Sequence, residues 1–291
     1  MIRHLFLIMA LTASLLAAGP VVTGEWLVKH GGDKNLVIVD VSDAEAYEAG
    51  HIPGALNSDI ARWRRAVGKH AEVRGAAELQ AEMRRLGIGP KTTVVVYAHH
   101  LDNKDMLRAT YVLWAMEYAG LADSALLDGG VGAFTAAGGT LSDKPEADRK
   151  GTFTVAVNGG MIAGLDEVRA SVGKVPMVDS RPAVYYFGAE RQAVLERAGH
   201  ISGAHSYFWR YSVTPDNRLK PTALLSDMFE KGLGLEKNAP LIVYCTGGLE
   251  ASMNYFVLHR LLGFKQAELY DASMKEWANR GDTEMTRFRW E

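Results

Sequence analysis

The only cysteine of the chain, Cys245, opens the run Cys245-Thr246-Gly247-Gly248-Leu249-Glu250. Before it stands Leu241-Ile242-Val243-Tyr244, a short apolar, β-prone stretch that suits a buried strand. After it, Met253, Phe256, Val257 and Leu261 recur with helical spacing, and Gly263 is a stop signal. A thiol placed where a strand turns into a helix has a definite chemistry open to it. Two glycines let the backbone curl with several N–H groups pointing inward, as an anion-binding nest requires. The helix adds the positive end of its dipole. Both favour the thiolate, which is the nucleophilic form. The competing reading is a small hydrophobe buried at a strand end. The Gly-Gly turn and the helix start favour the reactive thiol.

The elements that must position this loop occur twice. The first copy has the strand Leu36-Val37-Ile38-Val39-Asp40, then Gly50-His51-Ile52-Pro53-Gly54-Ala55. A polar helix over 76–86, a strand over 93–97, a long helix over 106–119 and Leu126-Leu127-Asp128-Gly129-Gly130 follow. The second copy has Val175-Pro176-Met177-Val178-Asp179-Ser180-Arg181, then Gly199-His200-Ile201-Ser202-Gly203-Ala204. A helix over 222–231, the strand ending at Tyr244 and the cysteine loop follow, then Tyr270-Asp271-Ala272-Ser273-Met274-Lys275-Glu276-Trp277. Strands alternating with helices imply mainly parallel sheets with helices on both faces. Two α/β domains from a duplication are the economical account, and one larger sheet is the alternative. The boundaries expected are 20–141 and 151–291, joined by a polar, charged linker at 142–150 that contains Pro145. Ligands gather at the carboxyl ends of such strands, where Cys245 lies. Its counterpart in the first copy is Ala98, followed by His99-His100. Adjacent histidines rarely converge on one metal ion, so a solvated loop is expected there.

Bulk properties narrow the classes. At 291 residues the chain is long for one domain. A net charge of −2 gives no reason to expect nucleic acid or an anionic membrane surface as a partner. Residues 1–19 combine a basic start, a short apolar run and small residues, the pattern of a secretory signal peptide. An uncleaved anchor is the alternative. Export, to a periplasm, is the expectation. A lone cysteine forms no internal disulfide, so packing alone must hold the fold.

Taken together, these residues resemble the tandem-domain rhodaneses, thiosulfate sulfurtransferase and 3-mercaptopyruvate sulfurtransferase. The resemblance runs from Thr23-Gly24-Glu25-Trp26-Leu27 to Trp277 and rests on Gly-His-Ile-x-Gly-Ala in both halves, Asp179-Ser180-Arg181, and the 270–277 motif. It implies two rhodanese-like domains, the first without a nucleophile. It implies a persulfide on Cys245, loaded from a small-molecule sulfur donor and unloaded to cyanide or a thiol. Backbone amides of 246–250 would stabilise the anions, and no cofactor or metal would be required. A monomer is the expected state.

The departures bear on the donor. Small, neutral Thr246-Gly247-Gly248 resemble members preferring 3-mercaptopyruvate, whereas thiosulfate-preferring members carry cations there. The last loop position, commonly Thr or Ser in the family, is Glu250. A carboxylate there repels an anionic donor and raises the thiol pKa. Its other readings are a base for an acceptor thiol and an acid placed at the helix start by the dipole. Where the family has a substrate-binding arginine, this chain has Tyr185-Tyr186. The candidates to supply positive charge, with Tyr185, are Arg191, Arg197 and Arg210, although an arginine on a polar stretch is usually solvated. Arg181 reads as a structural ion-pair partner. A phosphatase of related fold would need an arginine where Ala251 stands, which disfavours phosphoryl transfer. A persulfide carrier without multiple turnover is the second functional reading.

Overall fold

The computed structural model describes residues 19–99 and 103–291. Apart from Gly19, the expected leader lies outside them, as do His100, Leu101 and Asp102.

Two separate parallel sheets form, not one. In the first half the strands are β1 (Val21–Val22), β2 (Leu36–Asp40), β3 (Ala55–Asn57), β6 (Thr93–Tyr97) and β7 (Ser124–Leu127). Their order is β1-β7-β6-β2-β3, with every neighbour parallel. Between β3 and β6 stands an antiparallel hairpin, β4 (Arg64–Val67) and β5 (His70–Val73). The second half has β8 (Met177–Asp179), β9 (Ala204–Ser206), β10 (Leu241–Tyr244) and β11 (Ala267–Leu269), in the order β11-β10-β8-β9 and again all parallel. Ile162 bridges Leu269 in parallel, in the place β1 holds beside β7. The two sheets therefore share one plan. Apart from the partly buried Thr93 that starts β6, the long strands are buried throughout, which is why their sequences are nearly continuous apolar runs with no alternation.

The helices of the first half are α1 (Gly24–His30), α2 (Ala44–Ala49), α3 (Ala76–Arg85), α4 (Asn103–Tyr118) and α5 (Gly130–Ala136). Those of the second are α6 (Leu165–Ser171), α7 (Ala183–Phe187), α8 (Thr222–Ser226), α9 (Leu249–Tyr255) and α10 (Ser273–Trp277). Thr23 and Asp43 cap α1 and α2 by accepting from Trp26 N–H and Ala46 N–H. The expected 222–231 helix is α8 continued by a wider π-type turn, Asp227–Gly232. The helix after the cysteine is likewise α9 followed by the π-type turn Phe256–Leu262, and Gly263 ends it at φ 83°.

The repeated Gly-His-Ile motif is structural in both halves. His51 stacks on Tyr47 with centroids 3.9 Å apart, and His200 on Tyr186 at 3.8 Å. Each imidazole bonds that tyrosine's own carbonyl through Nδ1. Each next amide, Ile52 or Ile201, donates to the hydroxyl of Tyr97 or Tyr244 at the strand end. The 142–150 stretch does not hang free. Ser142 pairs with His51, Glu146 accepts from Gly54 N–H at 3.1 Å, and Arg149 donates to Gly54 O at 2.8 Å.

The halves share one core. α4 lies against α9, the two helices that follow equivalent strands, with Thr110 Oγ1 2.9 Å from Ser252 Oγ. The largest apolar cluster runs through both, from Trp63, Val112 and Trp114 to Met253, Phe256 and Val257. The cysteine loop sits at the end of that interface.

Candidate active site

Cys245 follows β10 directly and Gly248 is the residue before α9, so strand and helix fix the loop at both ends. The sulfur accepts from Gly248 N–H at 3.1 Å and Gly247 N–H at 3.4 Å. Gly248 holds φ 90°, a conformation that L side chains rarely adopt. A Cβ there would also stand 2.2 Å from Asp271 Oδ1. The cysteine's own N–H donates to Ser273 Oγ at 3.1 Å, and that hydroxyl donates to Tyr270 O at 2.6 Å. Ser273 pays for this with φ 53°, unusual for a residue bearing a Cβ.

The electrostatics of the resting loop oppose the expectation of a lowered thiol pKa. Cys245 is 1% exposed. Burial first, and the charge of Glu250 second, push its thiol up to about 12, against the amides of Ala251, Gly247 and Gly248. Glu250 is itself raised to about 7, by burial and then by Asp179, with Arg181 opposing. The repulsion foreseen for Glu250 thus acts on the thiol, and the same carboxyl titrates near neutrality. The Thr246 hydroxyl lies 2.7 Å from Gln192 Oε1 and 3.4 Å from Glu250 Oε2, and its one proton serves the nearer oxygen. Arg181 is buried against Asp179, with Nε 2.9 Å and Nη2 2.5 Å from the carboxylate, and donates to Gly199 O. It is an ion-pair partner that also sets the field at Glu250.

The first domain reaches into the site. Arg64, at the start of the β4–β5 hairpin, donates to Gly247 O at 2.5 Å and to Ala71 O at 2.9 Å. Its guanidinium lies 4.6 Å over the Tyr111 ring and 3.5 Å from Asp271 Oδ1. Asp271 also accepts from Val73 N–H and Tyr111 Oη, each at 2.7 Å. Burial raises this carboxyl to about 6, with Arg64 opposing. Arg64 thus props the carbonyl of the peptide whose N–H, on Gly248, points at the sulfur. The sequence reading missed it. The available signal was Gly68-Lys69, a two-residue turn of the hairpin kind, between stretches of weak strand pattern.

The other expected residues scatter. Leu249 is partly buried and packs on the shared core. Arg197 gives its donors to the carbonyls of Ala278, Thr283 and Trp277. Arg210 is held by Asn217 and lies 5.8 Å over the Trp209 ring. Arg191 donates to Leu195 O. With Arg197 and Arg287 it lines a cavity of about 460 Å³ to which no residue of the 245–250 loop contributes. Tyr185 is half-buried on α7. In the first domain His99 is not in a solvated loop. Its Nε2 lies 3.0 Å from Asp40 Oδ2 and its side chain is 9% exposed, because Ser42 stands where the second domain has Arg181 and leaves Asp40 in need of a partner.

Comparison with known proteins adds three findings. The model of the Rhodanese-like domain matches residues 23–137 and again 165–280. The chain is 31% identical to the sulfur carrier protein TtuD of Thermus thermophilus, over 89% of this chain and 93% of that one. It is 30% identical to a thiosulfate sulfurtransferase of Corynebacterium glutamicum, over 89% and 87%. Among solved structures, a variant of EanB in complex with ergothioneine superposes with a TM-score of 0.83 at 22% identity, over 94% of this chain and 71% of that one. YnjE superposes at 0.81 and 21%, over 93% and 68%.

Proposed function

The chain belongs to the family of the Rhodanese-like domain, and from that premise we propose that it is a sulfurtransferase acting through a persulfide on Cys245. One observation carries the reading: two backbone N–H groups converge on a single sulfur at a strand end. That geometry suits a thiolate on Sγ, both before the sulfur is loaded and when it is released again.

The donor is a small anion, thiosulfate or 3-mercaptopyruvate. The thiol first loses its proton, and Glu250 is the carboxylate of the same loop available to receive it. The thiolate attacks the outer sulfur of thiosulfate or the thiol sulfur of 3-mercaptopyruvate. A bond forms between Sγ and that sulfur. The donor's S–S or C–S bond breaks, and its electron pair leaves with sulfite or with the enolate of pyruvate, which then takes up a proton. An acceptor, cyanide or a thiolate, attacks the outer sulfur of the persulfide and the pair returns to Sγ. Arg64 and Ser273 hold the loop through this exchange. Export of the protein, directed by residues 1–19, belongs to the same reading.

A carrier without multiple turnover is the second reading, favoured by the burial and high pKa of the resting thiol and by the name of the Thermus thermophilus relative. Steady-state assays with cyanide separate the two. Many turnovers per Cys245 support the enzyme. A single stoichiometric loading, released only to a protein acceptor, supports the carrier.

A further inference from the structure

An anionic donor needs a cation beside the loop, and the arginines around Cys245 are largely committed within the protein. Arg181 is spent on Asp179 and Gly199, Arg64 on Gly247, Ala71 and Asp271, and Arg197 on three carbonyls. Lys275 differs. Its N–H donates to Thr246 O at 2.8 Å, which ties it to the loop. Its stem runs along Gly247: a Cβ built on that glycine would stand 3.2 Å from Lys275 Cδ and 3.6 Å from Cε. The ammonium is one bond farther on. Among the described residues no carboxylate lies within ion-pair distance of it, and its neighbour Glu276 accepts instead from the Tyr270 hydroxyl at 2.8 Å. The turn that delivers Lys275 begins at Ser273, the residue that holds the Cys245 amide.

We propose that Lys275 binds the anionic end of the sulfur donor, the sulfonate of thiosulfate or the carboxylate of 3-mercaptopyruvate. Gly247 lets the lysine stem lie flat on the loop. The inference rests on the sulfurtransferase reading and adds the group that selects an anionic donor.

The test compares the full-length protein with Lys275→Met and Lys275→Arg. Loading of Cys245 is followed by mass spectrometry and by steady-state kinetics with thiosulfate, 3-mercaptopyruvate and a neutral dialkyl trisulfide. A hydrogen bond to a charged group is worth enough that Lys275→Met should raise KM for both anions roughly tenfold. Its kcat should be little changed, and Lys275→Arg should restore most of the loss. Added salt should weaken anionic donors in the unsubstituted protein and much less in Lys275→Met. The trisulfide leaves an alkyl mixed disulfide or trisulfide on Sγ as a thiolate or perthiolate departs, and the rate of that adduct's formation should be the same in all three. An unchanged KM for the anions in Lys275→Met, with Cys245 still loaded, overturns the inference alone. An equal loss with the neutral donor overturns it too, since the effect is then one of structure. If no donor loads Cys245 in the unsubstituted protein, the sulfurtransferase reading fails and takes the inference with it.

Discussion

Cys245 is held between opposed influences. The amides of Gly247 and Gly248 point at its sulfur, while burial and the Glu250 charge favour the neutral thiol. Removing that charge should shift the balance. Glu250→Gln should lower the thiol pKa and speed alkylation by uncharged iodoacetamide at pH 8 several-fold; an unchanged rate would contradict the assigned repulsion. The same substitution has a signature in stability. Glu250 is raised to about 7 from an ordinary value of 4.5, so ionising it is harder in the folded protein than in the unfolded chain. Stability is then fully present below pH 4.5 and lost as pH rises through 7. Glu250→Gln should stabilise the protein at pH 8 by up to roughly 3 kcal/mol and leave it unchanged at pH 4, measured by urea titration at both. The cysteine loop was legible in the sequence because a strand pattern, two glycines and a helix pattern are local. The direction of the thiol pKa was not, because it depends on how deeply the loop is buried and on Asp179 and Arg181, brought beside Glu250 by parallel pairing of β8 with β10.

At the scale of elements, the β4–β5 hairpin matters most for the site. It places Arg64 under Gly247 O and gives Asp271 a buried counter-charge. Breaking such a pair by removing one member leaves the other uncompensated. Arg64→Leu should cost about 3 kcal/mol near pH 8. Losing Arg64 raises the Asp271 pKa further from about 6, so the deficit should shrink as pH falls toward 4. A deficit independent of pH would show that the Asp271 charge is not what Arg64 supports. Gly248→Ala places a Cβ 2.2 Å from the Asp271 carboxylate at a φ of +90°. Persulfide formation should fall at least tenfold as the nest distorts, and retained activity would show that the amide geometry is dispensable. The long strands were legible as apolar runs. The hairpin was not, since its residues are half-exposed and weakly patterned, and its function exists only where it meets the other domain.

Across the whole molecule the duplication builds two sheets of one plan and fuses them along α4 and α9. The Tyr–His stacks on both sides show which motif residues serve the scaffold, and Ala98 stands in the first half where Cys245 stands in the second. A shared core predicts shared unfolding. Calorimetry should give one transition whose van't Hoff and calorimetric enthalpies agree, and two resolved transitions would contradict the continuous core. Repetition of the motifs made the duplication readable, whereas the face on which the halves meet left no periodic mark in the sequence. The most direct test of the central claim is intact-mass spectrometry of the protein mixed with thiosulfate or 3-mercaptopyruvate. A gain of about 32 Da that maps to Cys245, is removed by cyanide, and is absent in Cys245→Ser with its Tm retained, is the predicted result. No mass gain with either donor, or an equal gain in Cys245→Ser, would contradict it.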